Sequence, residues 1–116
     1  MYCYVGDRIL LTKVRRADVF LTRFMGLMLK KDLCQSEGLL LIPCNGVHTF
    51  FMRFDLDILY LDKEFKIINF FYNIHPGKIL PIMKDCFSVL ETKAGNFPRD
   101  KELLNLKCYF EETSDE

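Results

Sequence analysis

The sequence predicts a mainly β fold, a single-domain β-sandwich or partly closed barrel, with one N-terminal α-helix and room for a second short helix near the C-terminus. Three observations carry this. Short stretches rich in Val, Ile, Phe and Tyr recur along the chain, each bounded by Gly, Pro, Asn or Asp. Half of the residues are hydrophobic and eleven are Phe, which supplies a packed interior and argues against disorder. Helical spacing of apolar residues is clear only after Ala17. A chain of 116 residues suits one domain with a real core.

Taken in order, residues 1–5 and 8–14 alternate loosely around Gly6-Asp7, the pattern of two strands joined by a tight turn. From Ala17 to Leu29 the apolar residues Val19, Phe20, Phe24, Leu27 and Met28 recur at three and four, with Asp18 as the cap. Gly26, which costs about 1 kcal/mol inside a helix, marks where this helix weakens. Leu39 to Ile42 is a buried strand stopped by Pro43, and Asn45-Gly46 is a turn. His48, Phe50, Met52, Phe54, Leu56, Ile58 and Tyr60 then form an apolar stripe at period two. A strand of that whole length would exceed the usual range of about 3–10 residues, so a bend is expected near residues 53–55. Residues 65–72 and 86–91 read as further strands, separated by a loop that holds His75-Pro76-Gly77 and Pro81. Residues 99–106 suit a short helix, 107–110 a last strand, and 111–116 a frayed acidic tail.

Composition excludes several classes of function. Sixteen basic residues balance sixteen acidic ones, so no field gathers nucleic acid. No run reaches the ~18 uninterrupted apolar residues of a membrane span. Five cysteines without a CxxC pair fit a reducing compartment, and the expected location is the cytoplasm. Zero net charge combined with many Phe residues leaves room for self-association, a homo-oligomer through an aromatic surface, or for a surface that takes an unidentified partner.

Four blocks occur in succession: Arg23-Phe24-Met25-Gly26-Leu27-Met28, Gly38-Leu39-Leu40-Leu41, His48-Thr49-Phe50-Phe51-Met52-Arg53-Phe54-Asp55-Leu56-Asp57, and Leu90-Glu91 with Ala94-Gly95. In this order and spacing the chain resembles the family called domain of unknown function 192 over roughly residues 8–110. The resemblance implies a small sandwich-like β domain with one N-terminal helix and no established activity. Asp55 stands where the family pattern has proline, and a glycine-aspartate turn is missing around residues 99–105.

The candidate site lies in the run from Gly38 to Asp62, where polar residues interrupt apolar surroundings. Such groups cost about 1–3 kcal/mol each if buried without partners. Arg23 and Asp57 suggest a buried ion pair locking helix to sheet, or an anion site with Asp57 as the orienting carboxylate. Cys44 and His48, separated by three residues across a turn, suit a shared metal or a thiol activated by imidazole. No paired motif elsewhere completes a zinc site, so neither metal nor cofactor is expected. Thr49 satisfies backbone or the His48 ring. Asp55 and Asp57, two apart, would share a strand face. The expected function is a binding or accessory module built around Arg23, Cys44, His48, Thr49 and Asp57. The alternatives are a small thiol-dependent or hydrolytic enzyme using Cys44 and His48, and an oligomeric structural protein.

Overall fold

A computed structural model describes residues 1–17, 36–50, 52–99 and 101–112. Its described strands are β1 (Tyr2–Val5), β2 (Arg8–Leu11), β3 (Lys13–Ala17), β4 (Glu37–Leu41), β5 (Leu56–Leu61), β6 (Ile67–Ile74), β7 (Ser88–Lys93) and β8 (Cys108–Glu111). They form two sheets, ordered β2-β1-β8 and β3-β4-β7-β5-β6. All described pairings are antiparallel except β3 with β4. The helix expected from Ala17 to Leu29 lies outside the described residues, save for Ala17, which closes β3.

Local chemistry accounts for most element ends. Gly6, at a positive φ of 59°, turns β1 into β2 beside Asp7. Asp62 Oδ1 accepts the Glu64 and Lys66 N–H groups at 2.8 and 2.9 Å, and Phe65 sits at φ 64°. This side-chain-capped turn consumes residues 62–66, so β6 begins at Ile67 rather than at Phe65. The stripe that starts at His48 becomes a strand only from Leu56. Thr49 N–H donates to Lys78 O at 2.8 Å and Thr49 O accepts Gly77 N–H at 2.9 Å, drawing residues 48–50 across to the 75–79 loop. The helix expected over residues 99–106 shrinks to a single 3₁₀ turn, Lys101–Leu103. Asn105 N–H is taken by Ile67 O at 2.8 Å and Leu106 O by Ile67 N–H at 2.9 Å, which stops the helix and leads into β8.

Each face of the larger sheet has its own core. The face bearing Leu40, Leu59, Leu61 and Leu90 packs on Cys3, Val5, Leu11 and Cys108 of the smaller sheet and encloses Phe97 and Leu103. The opposite face bears Leu39, Leu41, Leu56, Ile58, Tyr60 and Val89, against which Val47, Met52, Phe54, Leu80 and Met83 of the connections pack. Every residue of β5 is therefore buried. Gly38 is required where the sheets approach, because a Cβ there would meet Leu11 Cδ1 at 2.6 Å and Glu91 O at 2.9 Å. The sheets touch through backbone bonds at two corners, Val14 N–H to Met1 O at 2.9 Å and Cys108 N–H to Phe65 O at 2.8 Å. They remain two sheets, and the architecture is a sandwich without a closed barrel. Among the described residues no helix is long and apolar enough to cross a membrane.

Candidate functional site

Asp57 lies on β5 with no exposed surface. Opposite it β6 carries an extra residue, since Leu56 pairs with Ile74 while Ile58 pairs with Phe71. This bulge places Asn73, at φ 54°, so that its N–H donates to Asp57 Oδ1 at 3.0 Å. Gly95 and Phe97 N–H groups donate to Oδ2 at 3.0 and 3.4 Å. The guanidinium completes the set. Arg99 Nη1 lies 2.5 Å from Oδ2 and Nη2 lies 3.1 Å from Oδ1, a bidentate pair. Arg99 also donates to Phe97 O and Asn73 Oδ1, each at 2.9 Å, and stands 4.2 Å from the Tyr72 ring centre. The counter-charge of Asp57 among the described residues is thus Arg99; Arg23 lies outside them. With both carboxylate oxygens occupied, this cluster closes the β5–β6–β7 end of the sheet and leaves no open coordination position.

The remaining sequence-selected residues are tied mainly to backbone. Thr49 Oγ1 donates to His75 O at 2.7 Å and accepts Lys78 N–H at 2.9 Å, pinning the 75–78 loop. His48 is exposed; its Nδ1 accepts Phe50 N–H at 3.3 Å and its ring stacks on Phe50 with centroids 4.9 Å apart. Cys44 is half-buried and its Sγ donates to Gly46 O at 3.2 Å. Among the described residues no hydrogen bond joins His48 to Cys44. Asp55 does not share the environment of Asp57: its Oδ1 pairs with exposed His75 Nδ1 at 2.7 Å, outside the sheet. Among the described residues no three His, Cys, Asp or Glu side chains gather as a metal site.

Cys44 instead neighbours Cys86 across an open groove of about 250 Å³ lined by Pro43, Cys44, Asn45, Cys86 and Phe87. Cys86 Sγ donates to Ser88 O at 3.2 Å, and burial pushes its thiol up to about 11. Tyr60, whose hydroxyl donates to Pro81 O at 2.8 Å, is pushed up to about 12, chiefly by burial. Cys3 and Cys108 are buried between the sheets, where the Cys3 thiol is held far above its ordinary value by its hydrogen bond to Cys108 and then by burial. The described cysteines Cys3, Cys44, Cys86 and Cys108 form no disulfide.

Sequence reasoning about the site missed two residues. Arg99 follows Pro98 outside every strand, and nothing local marks its partner. Glu91 had a visible signal, a lone carboxylate after Val89-Leu90 inside a predicted strand. It lies on central strand β7 between Leu39 of β4 and Ile58 of β5, only 6% exposed. Burial alone pushes its carboxyl up to about 8.

Comparison with known proteins agrees with this architecture. Two solved structures share the fold. One is a protein of unknown function from Novosphingobium aromaticivorans, with a TM-score of 0.75 and 18% identity, covering 94% of this chain and 82% of that one. The other is a proposed transcription regulator from Sinorhizobium meliloti, with a TM-score of 0.73 and 20% identity, covering 93% and 89%. A UPF0127 protein of Thermococcus kodakarensis is 36% identical over a 63-residue alignment that covers 50% of this chain and 40% of that protein. Another, from Pyrococcus horikoshii, is 33% identical over a 60-residue alignment that covers 49% of this chain and 52% of that protein. The matched regions span about half the length of these relatives or less. The sequence profile of the uncharacterized family DUF192 matches residues 4–101, and the chain belongs to that family.

Proposed function

We propose that this chain is a small binding or accessory module rather than an enzyme. The observation that carries the reading is the engagement of His48, whose Nδ1 accepts Phe50 N–H and whose ring lies on Phe50. An imidazole serving Cys44 as general base would need a nitrogen within reach of Sγ. Thr49 and Asp57 are likewise spent on holding loops and strands. Exposed Phe50, Ile79 and Ile82 support a contact role. His48 bridges to Ile79, and Gly46 packs so closely on Ile82 that an added Cβ would lie 3.1 Å from it. An exposed apolar group of this kind suits a second copy of the chain or another partner. The described thiols fit a cytoplasmic setting. The balance of 16 basic and 16 acidic residues gives no support for carrying over the regulator label of one structural neighbour.

The deciding experiment is the rate at which Cys44 reacts with a thiol probe from acid to alkaline pH, in the wild-type protein and in His48→Ala. The module reading expects the rate to rise with ordinary thiol ionisation and to be unchanged in the variant. Fast reaction in mild acid that is lost with His48 would establish the thiol-enzyme reading instead.

A further inference from the structure

Two connections of the fold, residues 43–50 and 77–87, run antiparallel as an arm bound by its own backbone. Cys44 N–H donates to Phe87 O at 2.8 Å, Met83 N–H to Asn45 O and Leu80 N–H to Val47 O at 2.9 Å, and Thr49 N–H to Lys78 O at 2.8 Å. The arm carries the exposed Phe50, Ile79 and Ile82. Its base holds two cysteines. Cys86 Sγ lies 3.5 Å from Cys44 O, which puts the Cys44 Cα within about 6 Å of that sulfur. Both residues line the open groove of about 250 Å³, Cys44 half-buried and Cys86 sheltered at 6% exposure. Cys3 and Cys108 differ, being shut between the sheets with no groove leading to them among the described residues. An accessible thiol beside a sheltered one is the arrangement of an attacking and a resolving cysteine.

We propose that Cys44 and Cys86 form a dithiol oxidation site, which the disulfide of a small thiol converts into a protein disulfide that clasps the base of the arm. This goes beyond the module reading and concerns control of the module's contact surface. Cys44 attacks first, because it is the more exposed of the two and burial keeps the Cys86 thiol protonated near neutral pH. Its thiolate bonds to one sulfur of the small disulfide, the S–S bond breaks, and one small thiolate leaves and takes up a proton. Cys44 Sγ turns about χ1 from Gly46 O towards Cys86. Cys86 then gives up its proton, its sulfur bonds to Cys44 Sγ, and the second small thiol departs. Two electrons and two protons pass from the protein dithiol to the small disulfide, giving two small thiols and one protein disulfide. The new bond ties the 43–46 turn to the 82–86 segment, where Gly46 already packs against Ile82. Mobility of the apolar contact group on the arm is thereby made to depend on thiol redox state.

The test incubates the reduced chain with oxidised glutathione and follows intact mass, peptide mapping and amide exchange. Expected in the wild type is the loss of two hydrogens, a linked pair of peptides containing Cys44 and Cys86, and no lasting glutathione adduct. Cys86→Ser should stop at the mixed disulfide, with glutathione retained on Cys44, and Cys44→Ser should leave Cys86 unmodified. Cys86→Ala replaces the serine variant should that one fail to fold. Cys34→Ser should still form the clasp. Oxidation should also slow amide exchange at residues 46–50 and 77–82, and reduction should restore it. A persistent glutathione adduct on wild-type Cys44, linkage of Cys44 to a cysteine other than Cys86, or unchanged exchange in the arm would overturn the clasp. These outcomes are separate from failure of the module reading, which the dependence of Cys44 kinetics on His48 decides.

Discussion

Removing the Arg99 guanidinium leaves the Asp57 carboxylate fully buried with backbone donors but no counter-charge among the described residues. Loss of one partner from a buried pair costs about 3–5 kcal/mol, and the 40% exposure of the Arg99 side chain places Arg99→Ala at the low end, since water enters in its place. Urea unfolding checks this. A stability within error of wild type would mean that the pair holds nothing together. Arg99→Lys should recover only part, because an ammonium group cannot bond both oxygens in one plane. Glu91 behaves in the opposite sense. Its folded value of about 8 exceeds the ordinary 4.5, so the folded state holds a proton that the unfolded chain releases. The contribution of Glu91 to stability is therefore most favourable below about pH 4.5, falls as pH rises to about 8, and is flat above. Glu91→Gln should therefore flatten this slope and stabilise the protein at pH 8 by a few kcal/mol, on the order of the pKa displacement. Parallel slopes in the two proteins would refute the assignment.

At the scale of elements, Gly38 on β4 is the tightest point between the sheets. Gly38→Ala forces Leu11 aside and presses on the Glu91 carbonyl, which belongs to the sheet backbone and cannot yield. A cost of about 1–3 kcal/mol is expected, only partly relieved by Leu11→Ala in the same chain; full relief would show that backbone crowding is absent. Thr49→Val deletes the hydroxyl that bonds both His75 O and Lys78 N–H and should cost about 1–3 kcal/mol, with faster amide exchange confined to residues 75–79. Uniform exchange along the chain would count against a local clamp. These two elements also explain what the sequence could and could not reveal. β1 and β4 were legible because their limits are local, Gly6-Asp7 turning the hairpin and Pro43 following β4, whereas the single strand expected over residues 8–14 is divided at Thr12 between β2 and β3 of different sheets. The segment beginning at His48 carries a good strand pattern yet leaves the sheet, because the groups that claim Thr49 lie 26 and 29 residues onward. Arg99 was illegible for the same reason, since the carboxylate it serves is 42 residues away. Glu91 was legible as a residue but not as a buried one, because only the finished sheet shows that it lies inside at 6% exposure.

The whole molecule is held by the interior shared between the two sheets, where Cys3 and Cys108 have 0% and 1% exposure. Their thiols can meet a reagent only when the sandwich opens. Modification of Cys3 and Cys108, mapped by peptide mass, should slow in step with global stability and accelerate in urea along the unfolding curve. Rapid labelling of Cys3 in native buffer would mean that the smaller sheet detaches by itself. That smaller sheet joins Tyr2 to Glu111, the widest separation of any strand pair among the described residues. On a ribosome adding about 5–20 residues per second, β1 emerges roughly 5–20 s before its β8 partner exists. During that interval the β1–β2 hairpin shows Cys3, Val5 and Leu11 to solvent without the β8 side of the sandwich to cover them. The sandwich therefore cannot close until β8 has been made, and its first strands stay uncovered until then.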